Sequence, residues 1–385
     1  MSNRPSSSDV VVVGAGVIGL AVGWRAAQHG LKVLVLERGQ GPARETSSVA
    51  AGMLAPVSET LATELPLMRL GLASAQAYPG FVAELTEASG MDTGYLRCGT
   101  LLAARDGDEA EALARELTLR ESLGLGAHRL RASEARRLEP ALAPSLRLAL
   151  DIPDDHAIDP RKLTAALARA LTNDGGELRT YAHVAELTTV DGRVTGIRLA
   201  DGERVAAEQV VLAAGPWSSS LDGVPEGASI PVHPVKGQIL RLHDPAGPGL
   251  LTRVLRMTGG YMVPRGDGRY VLGATMEERG FDTTVTAGGA FEMLRNAFEL
   301  LPSVTELVID ELSAGLRPTT SDNAPAIGPG AIPGLHWATG HFRHGVLLTP
   351  VTAQIVTAGL AGEDPGELAG DFAPTRFAGT AAVAA

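Results

Sequence analysis

The stretch that most constrains this chain runs from Val10 to Glu37, "VVVVGAGVIGLAVGWRAAQHGLKVLVLE". Four consecutive valines predict a buried strand, Val17 to His29 carry helical periodicity, Gly30 supplies a left-handed stop, and Lys32 to Leu36 make a second strand. Between the first strand and the helix lies Gly14-x-Gly16-x-x-Gly19. The spacing has a physical purpose: Gly14 permits a tight turn, Gly16 lets backbone approach a pyrophosphate, and Gly19 lets the helix close on the strand. The helix N-terminus then offers its amides to the anion, and Glu37, ending the second strand, is placed to accept ribose hydroxyls.

That motif serves either NAD or FAD. After Glu37 comes "RGQGPARETSSVAAGMLAP", small and rich in Ser and Gly, in place of the prompt helix and third strand of a compact nicotinamide domain. A long extended cofactor needs backbone approach well past the first turn, which favours FAD. A late apolar strand, Gln209 to Ala213, followed by Ala214-Gly215-Pro216-Trp217, reads as a return to the nucleotide domain.

At 385 residues the chain exceeds the size at which single cores stop growing, about 250 to 300 residues, so two domains are expected. A net charge of −11 argues against nucleic acid or an anionic membrane as partner, since both need a basic footprint. The single cysteine, Cys98, excludes a disulfide framework and a thiolate metal site and reads as a small buried hydrophobe. No histidine and glutamate spacing suggests a metal. The run Val10 to Val22 is too short to span a bilayer and has no cleavage site, so a cytoplasmic enzyme is expected.

Between these signals the pattern alternates. "DGDEAEALARELTLRESLG" predicts a solvated helix, and "IDPRKLTAALARALTNDGG" a helix capped by Asp159 with Pro160 at its first position. Asp191-Gly192, Asp201-Gly202 and Gly266-Asp267-Gly268 predict hairpin turns, the last inside a β-rich stretch from Ile230 to Met276 that suggests an antiparallel sheet. "AFEMLRNAFELLPSV" predicts an amphipathic helix, and "GLRPTTSDNAPAIGP" the start of the final return to the nucleotide domain.

Near the C-terminus stands "ATGHFRHGVLLTP", with His341, Arg343 and His344 gathered ahead of an apolar helix. An arginine, two ionisable rings and a helix N-terminus predict a positive environment. Read as a residue alone, Arg317 in "GLRP" serves equally as a bidentate carboxylate clamp or an interdomain ion pair.

Across nearly its whole length the chain resembles the D-amino acid oxidase superfamily of flavoproteins, and within it the glycine oxidases of the thiamine-biosynthesis type. The likeness rests on "VVVGAGVIGLAVGWRAAQHG", "SSVAAGML", "AIDPRKL", "PVKGQ", "GYMVPR", "GRYVLGATMEERGFD", "GLRPTTSDNAPAIG" and "GHFRHGVLLTP". It implies an α/β fold, with a Rossmann-like FAD-binding domain interleaved with an α+β substrate domain built on an antiparallel sheet. The resemblance also implies non-covalent FAD and oxidative deamination of glycine and similar small amines, with a hydride passing to the flavin and O2 becoming H2O2.

Carried over by motif, the resemblance puts Arg317, Tyr261, Arg343, Met276 and Met53 at the substrate. It puts Gly14, Gly16, Val17, Ile18, Gly19, Glu37, Arg38, Thr46, Ser47, Ala51, Gly52, Met53, Val184 and Gly215 at the cofactor, together with His341, Phe342, Arg343, His344, Gly345, Val346 and Leu347. His344 stands where the subgroup pattern has asparagine, and no residue is assigned as acid or base. Lys236 in "PVKGQ" is weighed for oxygen activation and read as structural.

The expected partition gives residues 8–60, 150–225 and 305–365 to the FAD-binding domain and residues 61–149 and 226–304 to the substrate domain, with flexible tails at 1–7 and 366–385. A flavin dehydrogenase feeding a quinone, or a non-catalytic flavoprotein, stays open, as does a homo-oligomer.

Overall fold

A computed structural model describes residues 7–378. Strand β1 (Ser7–Val13), helix α1 (Val17–Gln28) and strand β2 (Val33–Leu36) form the βαβ unit, with the two strands parallel. The late strand Arg204–Leu212 pairs parallel with β1 on its other side, and Leu335–Thr339 pairs parallel with Arg204–Leu212. Glu177–Arg179 closes the far edge beside β2. Helix α1 is buried along most of its length because it is nearly all apolar, with Leu20, Val22 and Trp24 meeting Leu163 and Leu167 of helix Pro160–Asn173. Asp159 caps that helix, its carboxylate accepting from the Arg161 amide.

The second sheet is mostly antiparallel, and its spine is the long pairing of Val232–His243 with Val308–Thr320. Arg269–Gly273, Gly260–Pro264, Val254–Met257, Thr100–Ala104, Leu148–Ile152 and His128–Arg131 follow in order across it. Only the contact between Val254–Met257 and Thr100–Ala104 is parallel. The hairpins expected at Asp191-Gly192, Asp201-Gly202 and 266–268 all join neighbouring antiparallel strands.

Three parts of the expected partition are corrected. Val308–Thr320, read as part of the return to the nucleotide sheet, belongs to the second sheet, because twelve of its residues find partners along Val232–His243; the return begins at Ala326–Pro329. Leu148–Ile152 pairs with Thr100–Ala104, so the expected boundary at 150 cuts a substrate-sheet strand. Helix Leu65–Ser89, expected with the substrate domain, packs Leu70, Tyr78, Phe81 and Leu85 into the core that holds Trp24.

Of the expected flexible C-terminal tail, residues 366–378 instead fold into short 3-10 turns. Phe372 and Phe377 are buried, and Arg376 is anchored to Asp322 at 2.8 Å. The rest of the two expected tails, 1–6 and 379–385, lies outside the described residues. Among the described residues no helix is long and apolar enough to cross a membrane.

Candidate active site

One cavity of about 1180 Å³ runs from the βαβ unit to the face of the second sheet. At one end the Gly14 turn is held by a left-handed φ of +102°, and a side chain there would stand 2.6 Å from the Ala213 carbonyl. Gly19 explains the closeness of helix and turn: a Cβ on it would lie 1.9 Å from the Gly14 carbonyl oxygen. The first helical amide, of Val17, donates to Ser47 Oγ at 3.0 Å, so the helix N-terminus faces the Ser-rich segment. Glu37 accepts from the amides of Ala15 (3.1 Å) and Gly39 (2.8 Å), and Arg38 lies over the Trp217 ring at 3.8 Å.

The middle of the cavity is walled by residues 46–53. Thr46 Oγ1 donates to the Leu316 carbonyl at 2.6 Å, tying this segment to the strand that carries Arg317. Gly52, at φ +77°, has no room for a side chain, since a Cβ there would lie 2.0 Å from the Ile158 carbonyl oxygen. Half-buried Arg265 donates to the carbonyls of Ala51 (2.8 Å) and Ile158 (2.9 Å), and desolvation pushes its guanidinium down to about 10.

At the far end, Arg317 Nη1 donates to the carbonyls of Thr275 (3.2 Å) and Lys236 (3.3 Å). Among the described residues no carboxylate lies within ion-pair distance of it, so the interdomain ion pair that its residue type allowed is not formed. Gly237, on the paired strand, leaves room for its guanidinium. Tyr261 sits beside it; burial raises the phenol, and the nearby Arg317 cation partly offsets this.

The C-terminal stretch closes over this end. The Phe342 amide donates to the Pro318 carbonyl at 2.7 Å, and Thr319 bridges to His341, which brings Arg343 to the cavity wall. Arg343 is held by Glu64 (3.2 Å) and Glu59 (3.7 Å).

A positive cluster at His341 and His344 does not form. Burial pushes His341 to about 3 and His344 to about 4, so both rings are neutral near pH 7, and His341 Nε2 meets Thr352 Oγ1 at 2.9 Å. Ser74 and Tyr78 donate to the carbonyls of Leu347 and Val346 at 2.7 Å, fixing the turn into helix Thr349–Ala361.

Nearly all residues expected at cofactor or substrate meet on this one wall; Gly19, His344 and Leu347 do not. Gly19 is spent on packing, while His344 and Leu347 border a second, water-sized void behind Glu59. Met53 is half-buried in the wall, whereas Met276 is 64% exposed at the mouth. Lys236 is off the wall, buried and paired with Asp282 (3.3 Å) and Glu277 (3.4 Å).

Sequence reading missed Glu59 and Arg256, which face each other at 3.3 Å on the cavity wall. Glu59 lies just past "SSVAAGML" with no motif of its own. The long shape and glycine-lined turn fit a dinucleotide such as FAD: the Gly14 turn leaves no space for a side chain, and the wall is continuous from Glu37 to Arg317.

The family described as "DAO: FAD dependent oxidoreductase" matches residues 9–358. The chain belongs to this family. It is 36% identical over 351 residues to the glycine oxidase of Geobacillus kaustophilus, covering 90% of this chain and 91% of that protein. It is also 34% identical to the bifunctional protein ThiO/ThiG of a Synechocystis species over 97% of this chain, but spans only 54% of that longer protein. The crystal structure of the Geobacillus kaustophilus glycine oxidase superposes with a TM-score of 0.90 at 34% identity, covering 96% of this chain and 99% of that one. As an FAD dependent oxidoreductase of this family, the chain places its nucleotide turn and Arg317 on a single cavity.

Proposed function

We propose that this protein oxidises glycine and similar small amines such as sarcosine and small D-amino acids, using O2 and releasing H2O2. The imine formed is hydrolysed to an oxo acid and ammonia. Arg317, without a carboxylate partner among the described residues yet oriented by two carbonyls, is the observation that carries the reading. Likeness to glycine oxidases along almost the whole chain supports the same substrate class. Likeness to ThiO/ThiG proteins supports a place in the thiazole branch of thiamine biosynthesis.

Bound FAD would supply the two-electron acceptor that no side chain offers. The chain's own task is then to hold and orient. Arg317 grips the substrate carboxylate with its planar fork, and Tyr261 adds a hydroxyl to the same group. Met53 and Met276 bound the space beside the α-carbon, and Arg343 closes the opposite wall. The cofactor would be held by Gly14, Gly16, Val17 and Ile18 of the turn and helix start, by Glu37, Arg38, Thr46, Ser47, Ala51, Gly52, Met53, Val184 and Gly215, and by His341, Phe342, Arg343, Gly345 and Val346.

Non-covalent attachment is supported by Cys98, which lies off the cavity wall with its thiol pushed up to about 11 by burial. The two-part, discontinuous partition of the chain, with the corrected boundaries above, and a cytoplasmic location belong to the same proposal.

The test is an anaerobic titration of the purified holoenzyme with glycine, sarcosine, D-alanine and D-proline, followed by oxygen-electrode and peroxide measurements. Flavin bleaching by glycine and peroxide yield equal to oxygen consumed are expected. Bleaching without peroxide would make the chain a dehydrogenase, and no bleaching by any amine would remove the catalytic reading.

A further inference from the structure

Glu59 is a buried carboxylate with an unusual set of neighbours. It lines the cavity that holds Arg317 and Tyr261, and its side chain is 11% exposed. Three groups surround it: Arg256 Nη2 at 3.3 Å, His344 Nδ1 at 3.4 Å and Arg343 Nε at 3.7 Å. Burial alone would raise this carboxyl, but the guanidinium charges of Arg256, Arg343 and Arg317 hold it below the ordinary range, so it is ionised. None of these approaches is a hydrogen bond. Among the described residues nothing donates one to either Glu59 oxygen, although an ionised carboxylate has about four acceptor positions.

The backbone that carries Glu59 is braced far more firmly than an ordinary loop. The Asp155 carboxylate accepts from the amides of Val57 (3.0 Å) and Ser58 (2.8 Å). Arg120, also buried, donates to the carbonyls of Val57 (3.1 Å) and Ser58 (2.9 Å), and Arg256 donates to the Ser58 carbonyl at 2.5 Å. Burying Asp155 and Arg120 is costly, and two peptide units fixed on both sides are what that cost secures. The result is a rigid, ionised, under-satisfied acceptor facing the space into which Arg317 points a donor.

We propose that Glu59 is a substrate-binding residue that accepts hydrogen bonds from the substrate's amino group, so that Arg317 and Glu59 read the two ends of one zwitterion. This rests on the proposed amino-acid oxidation. It assigns the site's preference for an α-amino acid over an α-hydroxy acid or a simple carboxylate to Glu59, since an amino group offers it several N–H donors and positive charge, a hydroxyl one donor and no charge, and a simple carboxylate neither. Arg256 is a positioning residue that keeps Glu59 ionised and in place.

The experiment compares two ligands on holoenzyme. Acetate, which has the carboxylate alone, is titrated by its perturbation of the flavin spectrum, and glycine affinity is taken from the concentration dependence of anaerobic flavin reduction. In Glu59→Gln, glycine affinity should weaken roughly tenfold to a hundredfold, the range of a hydrogen bond to a charged group. Acetate affinity should stay the same or tighten. Equal changes for both ligands, or an unchanged glycine affinity, would overturn the assignment.

Should Glu59→Gln fail to hold FAD, Glu59→Asp carries the test, and the ratio of glycine to acetate dissociation constants must still rise. A wild-type flavin that glycine does not bleach overturns the functional reading and this assignment with it. A wild type that bleaches, with an unchanged ratio in the variants, overturns the assignment alone.

Discussion

Arg317 occupies the space that a side chain on Gly237 would need. A Cβ at position 237 would stand 2.4 Å from both terminal guanidinium nitrogens, and the two residues lie on paired strands whose register sets Gly237 opposite Gly315. The guanidinium is the far end of a flexible side chain, so it yields before the sheet does. Gly237→Ala should therefore fold and retain FAD while displacing the carboxylate clamp. We expect kcat/KM for glycine to fall about a hundredfold, the usual cost of a misplacement near 1 Å, with weaker acetate binding and an unchanged thermal midpoint. Steady-state kinetics, acetate titration and a melt on one preparation check all three.

Gly19 gives a different kind of prediction. A Cβ there would press on the Gly14 carbonyl at 1.9 Å, and both atoms are fixed in backbone, so turn and helix must part. Gly19→Ala should cost about 1–3 kcal/mol of stability, as overpacking does, and lower the fraction of protein that retains FAD. Absorbance at the flavin band relative to protein, with a thermal melt, measures both. A variant with full flavin content and an unchanged melt would mean that the turn tolerates a side chain.

These two glycines mark how far the sequence could be read. Gly19 was legible because its role is local: strand, turn and helix adjoin in the chain, and three glycine positions encode their packing. The clamp was legible only as a residue type. That Arg317 reaches a cavity and not an ion pair depends on Gly237 and Thr275, 80 and 42 positions away. Val308–Thr320 was misplaced because alternation marks a strand but not its partner. The two histidines misled because charge depends on burial, which spacing does not reveal. Glu59 was silent because its meaning comes from Arg256, Arg343 and His344, which converge on it only in the folded chain.

Lys236 separates two roles. Its ammonium is buried, off the cavity wall, and bridges Glu277 and Asp282, whose segment also rests Phe281 on Trp217 at 5.8 Å between ring centres. Both carboxylates keep contact with solvent, so losing the lysine strands little charge. Lys236→Met should reduce stability by about 1 kcal/mol or less and hasten proteolytic cleavage within residues 277–285. The rate of flavin reoxidation by O2 should be unchanged. A large drop in that rate, measured by stopped flow after anaerobic reduction, would return Lys236 to oxygen chemistry.

The acid side of the stability profile should be governed by buried imidazoles, and His336 is the one to test because it lies away from the cavity. Burial pushes it to about 4, its Nε2 faces Gln209 Oε1 at 2.8 Å, and it is 5% exposed. An unfolded histidine protonates near 6.5, so between about pH 6.5 and 4 the unfolded chain binds the proton and the folded chain does not. The stability associated with a neutral His336 is thus fully present above about pH 6.5 and is lost as pH falls through about 4, by an amount on the order of 3 kcal/mol. Asp155, pushed up to about 6 by burial, works in the opposite direction, its contribution growing as pH falls from about 6 towards 4. That term is common to wild type and variant and cancels in their difference. His336→Gln keeps a partner for Gln209 and does not titrate, so its stability should fall less steeply than wild type between pH 6.5 and 4. Denaturant melts at half-unit pH steps give the two slopes, and parallel slopes would mean that His336 is already charged in the folded protein.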